Sequence, residues 1–226
     1  MTTPQLESLY PFLHGKARDG AREREALLES IRQKAAHSVD EKRRFFAAND
    51  SGLLAMAEGM AGVYRGGGRL FAMGNGGSSC DAAHFAVEFQ HPVTAGRPPL
   101  PAVNLCADTA LTTAVGNDAG IAEIFARQIE AHATARDGLV GFSTSGNSTN
   151  LARAYEVARG IGLKTFGLAG GDGGDMNAGG LVERCLVVET DSIHRVQEVH
   201  VACYHILWDI VHTLLADSRG RPGAGP

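Results

Sequence analysis

Five short apolar runs, each closed by small or polar residues, constrain this chain more than any other feature. They occupy residues 69–73 (RLFAM), 102–107 (AVNLCA), 138–142 (GLVGF), 164–168 (KTFGL) and 184–189 (RCLVVE), and helix-like stretches separate most of them. Runs this brief and this uniformly apolar are poor core helices and good strands buried on both faces. Such strands alternating with helices build a parallel sheet through right-handed crossovers. The predicted fold is α/β: a three-layer sandwich with a five-stranded parallel sheet flanked by helices and preceded by N-terminal helices.

The spacing sets the rest of the organisation. Residues 1–48 are rich in charge and alanine and carry Leu27, Leu28 and Ile31 at helical spacing, so they read as a helical arm. Asn49, Asp50 and Ser51 are capping residue types before a second helix that stops at Gly66, Gly67 and Gly68. The main domain is expected over 49–217, ending in a long amphipathic helix from about Ile193 to Ala216, with 218–226 a disordered tail.

Composition narrows the functional classes. A net charge of −4 argues against a nucleic-acid binder, which concentrates positive charge on one face. No secretory leader is visible at the start, and the most apolar late stretch, 199–216, is broken by His200, His205, Asp209 and His212, so no membrane span is expected. Cys80, Cys106, Cys185 and Cys203 form no CxxC pair and read as free thiols of a cytoplasmic protein.

In open α/β sheets ligands bind beyond the carboxyl ends of the strands. After the first run stands Gly74-Asn75-Gly76-Gly77-Ser78-Ser79, where glycines allow tight turns and free amides with Ser78 can face an anion at a helix start. After the third stands Ser143-Thr144-Ser145-Gly146-Asn147-Ser148, hydroxyls and amides able to hold a phosphate without a basic residue. Neither loop matches GxxxxGK[ST], and Ser79 stands where GxGxxG requires its third glycine, so nucleotide-binding readings are disfavoured. On the helix that Ser78 opens, His84 and Glu88 are four residues apart on one face. That spacing suits two metal ligands, a base beside a ligand, or a plain surface pair. The late helix adds His194, Gln197, Glu198, His200, His205 and His212.

Taken together, GNGGSSCDAAHFAVEF at 74–89, GND at 116–118, STSGNS at 143–148 and RVQEVHVACYHIL at 195–207 resemble the sedoheptulose 7-phosphate isomerases of the sugar isomerase (SIS) domain superfamily, over residues 50–216. The resemblance implies an aldose–ketose isomerase, a cytoplasmic homotetramer with active sites between subunits, and one zinc per subunit. It implies substrate contacts from Asn75, Gly76, Gly77, Ser78, Glu88, Asn117, Asp118, Ser143, Thr144, Ser145, Ser148 and Gln197, and metal ligation by His84, Glu88, Gln197 and His205. Glu88 would be the general base and His205 its acid/base partner. Two readings compete: an isomerase of another ketose phosphate, and a noncatalytic tetrameric adaptor or sugar-phosphate sensor. Gln197 and His205 are eight residues apart, about 12 Å along a helix and about 80° around it, which strains a shared metal. His194 departs from the acidic or small residue that relatives often carry there.

Overall fold

The computed structural model of the chain describes residues 20–219. The expected arm before residue 20 and the expected tail beyond 219 lie outside the described residues. The described residues divide into two units, one ending at Asp40 and the other beginning at Glu41. In the first, the described residues are helical, with Leu27 and Ile31 exposed and Arg32 paired with Glu25 at 3.0 Å.

The elements are α1 (Gly20–Arg65), β1 (Leu70–Gly74), α2 (Gly77–Gln90), β2 (Ala102–Asn104), α3 (Thr109–Asp118), a 3-10 turn (Ile121–Glu123), α4 (Ala126–His132), β3 (Gly138–Ser143), α5 (Thr149–Ile161), β4 (Lys164–Gly170), α6 (Gly174–Ala178), β5 (Arg184–Val188) and α7 (Ile193–Arg219). All five runs are strands, and they pair in parallel in the order β2-β1-β3-β4-β5. The expected helix boundary at residues 49–51 is present as a kink, where two helices meet within α1. Asn49 leaves helical geometry (φ −122°, ψ 15°) and its side-chain amide donates back to the Phe45 carbonyl at 3.0 Å, so the first helix closes where the second begins.

The sheet divides two cores by strand alternation. Leu70, Ala72, Val140, Phe142 and Leu168 point to a layer containing Met56, Met60, Phe85, Phe89, Val199, Tyr204, Leu207 and Val211, from α1, α2 and α7. Phe71, Met73 and Leu139 point the other way, onto Ile129, Leu151, Ala154 and Tyr155 of α4 and α5. Each fully buried large side chain contributes about 1.5–3 kcal/mol. Among the described residues α7 alone is long and apolar enough to cross a membrane, and its inward stripe is part of this core.

The chain leaves β1 toward β2 on one side and returns to β3 on the other, so the topological switch point lies between β1 and β3. The two glycine- and hydroxyl-rich loops follow those two strands.

Candidate active site

At the switch point the two loops are joined through side chains. Asn75, in the turn after β1, and Asn150, in the first turn of α5, exchange reciprocal amide hydrogen bonds: Asn75 Nδ2 donates to Asn150 Oδ1 at 2.9 Å, and Asn150 Nδ2 to Asn75 Oδ1 at 2.8 Å. Asn150 Oδ1 also accepts the Leu151 amide at 3.1 Å, and the residue is buried. Asn75 is thereby oriented by a partner 75 residues away.

Gly76 takes φ +52° at the start of α2, and Gly77 lies directly against the end of Gln197 on α7; a Cβ at Gly77 would stand 2.1 Å from Gln197 Nε2. Ser78 is buried inside the first turn of α2, its amide donating to the Asn75 carbonyl at 2.9 Å. In the second loop the Ser143 hydroxyl accepts the Gly146 amide at 3.0 Å and lies 3.3 Å from the Ser148 hydroxyl. Gly146 has φ +68°, and a Cβ there would meet the Gly173 carbonyl oxygen at 1.9 Å, so only glycine closes this turn. Ser145 is exposed, whereas Thr144 and Ser148 are half-buried. Asn117 and Asp118 end α3 as exposed residues, joined by an Asn117 Nδ2 to Asp118 Oδ1 bond of 2.7 Å. His194 is exposed in the first turn of α7.

Helices α2 and α7 lie side by side in the same direction, in a register that holds along their length. Gly77 meets Gln197, His84 Nδ1 lies 2.7 Å from the Tyr204 hydroxyl, and Trp208 Nε1 donates to the Glu88 carbonyl at 2.8 Å. Each pair is 120 residues apart in sequence. This packing gathers His84, Glu88 and His205: His84 Nε2 is 3.0 Å from Glu88 Oε1 and 3.5 Å from His205 Nε2, and His205 Nε2 is 4.0 Å from Glu88 Oε1. Bonds of about 2.0 Å to a tetrahedral zinc put neighbouring ligand atoms about 3.3 Å apart, so the spacing and the N, O, N donor set suit that ion. The His84 and His205 side chains remain over 40% exposed, so the cluster faces outward.

Three residues around the cluster escape sequence reasoning. Tyr204 is buried, and burial with the carboxylates Asp81 and Glu88 holds its phenol protonated. Asp81, one turn before His84, is buried; desolvation lifts its carboxyl to about 6 against the pull of His84, and its Oδ2 has no hydrogen-bond partner. Trp208 stacks under Arg97 at 4.5 Å, which ties the connector between α2 and β2 to α7. None has a local signature, because each acts through helix register.

A parallel α/β sheet with paired anion-type loops at its switch point defines the class, and the SIS domain family matches residues 35–170 of this chain. The phosphoheptose isomerase of Trichlorobacter lovleyi is 46% identical over 156 residues, 69% of this chain and 79% of that one. That of Pelodictyon phaeoclathratiforme is 39% identical over 204 residues, 89% and 96% of the two chains. The solved phosphoheptose isomerase from Francisella tularensis superposes with a TM-score of 0.78 at 33% identity, covering 82% of this chain and 98% of that one. The chain belongs to the phosphoheptose isomerase family of SIS-domain proteins, and it is an aldose–ketose isomerase.

Proposed function

We propose that the enzyme converts sedoheptulose 7-phosphate to D-glycero-D-manno-heptose 7-phosphate, with zinc held by His84, Glu88 and His205 and approached by Gln197. The observation that carries this reading is the convergence of the three donor atoms within 4.8 Å of one another on two helices, one of which starts at the glycine loop. Bound zinc would polarise the substrate carbonyl and stabilise the oxyanion of the enediolate.

The chain's own residues do the rest. The loop hydroxyls and amides of Ser143, Thr144, Ser145 and Ser148, with Asn75, Gly76, Gly77 and Ser78, hold the phosphate and fix the reacting carbons, so binding energy remote from the chemistry lowers the barrier. Glu88 takes the proton from the carbon beside the carbonyl and returns it to the neighbouring carbon. His205 moves the second proton between the two oxygens. Asn117 and Asp118 contact the sugar hydroxyls.

The outward-facing cluster supports a homotetramer in which a neighbouring subunit covers each site. Val87 and Ile206, beside Glu88 and His205 in sequence, are exposed, as is Leu54 on α1, and such residues suit an interface. Four free cysteines are in keeping with a cytoplasmic enzyme.

The test is incubation with sedoheptulose 7-phosphate and zinc in deuterated water, followed by NMR. Aldoheptose phosphate carrying solvent deuterium at the former carbonyl carbon is expected, and Glu88→Gln should slow turnover by about 10²–10⁴-fold. Absence of product with this substrate, or a Glu88→Gln enzyme as fast as wild type, refutes the reading.

A further inference from the structure

The most deeply placed group of the cluster is the one that the family motifs leave without a role. Tyr204 is 1% exposed, and its ring packs edge-on against Phe142 of β3, His84 and His205, at centroid distances of 6.0, 5.2 and 4.9 Å. Its hydroxyl lies 2.7 Å from His84 Nδ1. The other ring nitrogen, Nε2, is the one turned toward Glu88 and His205.

A neutral imidazole carries one proton, and a nitrogen that binds a cation must be the bare one. For His84 to offer Nε2, its proton must sit on Nδ1, where the nearest partner is the Tyr204 oxygen. A phenol serves in both states of the site. Without metal, its O–H can donate to a bare Nδ1; with metal on Nε2, its oxygen accepts from Nδ1–H. Phenylalanine would keep the ring packing and could do neither.

We propose that Tyr204 is the positioning residue of the metal centre: its hydroxyl fixes the ring orientation of His84 and accepts Nδ1–H, committing Nε2 to the cation. This rests on the metal reading of His84, Glu88 and His205 given above. It assigns Tyr204 no contact with substrate. Its effect runs wholly through His84, which separates it from a core tyrosine whose hydroxyl merely finds a partner.

The probe is zinc alone, titrated against a chromophoric chelator, with no substrate present. Tyr204→Phe should weaken zinc binding by about 10–100-fold, the range usual for losing a hydrogen-bond partner of a metal-bound histidine. The metal-free variant should melt within a few degrees of wild type. In a His84→Ala background the same substitution should change zinc affinity by less than two-fold, because the residue it acts through is gone. In parallel, two-dimensional ¹⁵N NMR of the zinc-loaded wild type should show His84 protonated on Nδ1. That measurement stands even if a variant fails to fold.

Zinc affinity of Tyr204→Phe within two-fold of wild type overturns the inference and leaves the metal centre intact. So does an equal loss in the His84→Ala background, or a loaded wild type whose His84 proton is on Nε2. A wild-type protein that takes up no zinc overturns the metal reading and this inference together.

Discussion

Gly146 and Gly171 form a matched pair for measuring how rigidly the second loop is built. Their backbone angles are nearly identical, φ +68° and +67°. Their surroundings are opposite. A methyl group at Gly171 would meet nothing within 4 Å, whereas at Gly146 it would stand 1.9 Å from the Gly173 oxygen and 2.4 Å from its carbonyl carbon. Alanine in the left-handed region costs about 1–2 kcal/mol at either position. At Gly146 the backbone must additionally move by about 1.5 Å to reach ordinary contact. Such a move pulls on two hydrogen bonds, Gly146 N–H to the Ser143 hydroxyl at 3.0 Å and Met176 N–H to the Gly146 carbonyl at 3.1 Å. Losing both adds about 2 kcal/mol. Gly146→Ala should therefore cost about 3–4 kcal/mol and Gly171→Ala about 1–2 kcal/mol. Urea unfolding followed by the fluorescence of Trp208, the single tryptophan, measures both, at one protomer concentration because any oligomer links stability to mass action. Gly146→Ala should also raise KM for the sugar phosphate at least tenfold by displacing Ser143, with Gly171→Ala near wild type. Equal stability losses in the two variants would refute the claim that packing, rather than backbone angle alone, demands glycine at 146.

Asn150→Ala should raise KM more than it lowers kcat, and in an Asn75→Ala background it should add little, since the two amides act as one unit; a double-mutant cycle with full additivity would show the loops to be independent. Burial lowers His200 to about 4, against an ordinary value near 6.5, so its stabilising contribution is present above 6.5 and is lost as the pH falls toward 4. The full loss below that range is at most about 3 kcal/mol, and urea unfolding between pH 7 and 4 should show a shallower decline for His200→Met than for wild type.

The strands were the most legible part of the molecule, for a physical reason. A strand buried on both faces has to be apolar throughout, so its sequence is its burial pattern, and β1 and β3 are indeed buried at every position. The strand ends were less legible because side chains decide them. The second run reads as 102–107, yet β2 ends at Asn104, whose side-chain oxygen accepts the Cys106 amide at 2.9 Å and turns the chain. The boundary at Asn49 was legible from its capping residue types, and what they do not show is that the two helices join across a kink rather than a loop.

The site divides along a similar line. His84 and Glu88 announce themselves because four residues of helix make one face, and the switch-point loops because their composition is peculiar to turns. His205, Tyr204 and Asn150 are invisible to any local rule, since what they touch lies 121, 120 and 75 residues away. The register between α2 and α7 also restates the difficulty over Gln197 and His205. With the two helices running in one direction, Gln197 falls beside Gly77 and His205 beside His84, and the separation along α7 is matched by seven residues of α2, about 10 Å. Gln197 therefore guards the start of the glycine loop while His205 completes the cluster, and any sharing of one ion requires the long glutamine side chain to reach down α2. The packing of two helices, and not the spacing on one, sets what these residues can do together.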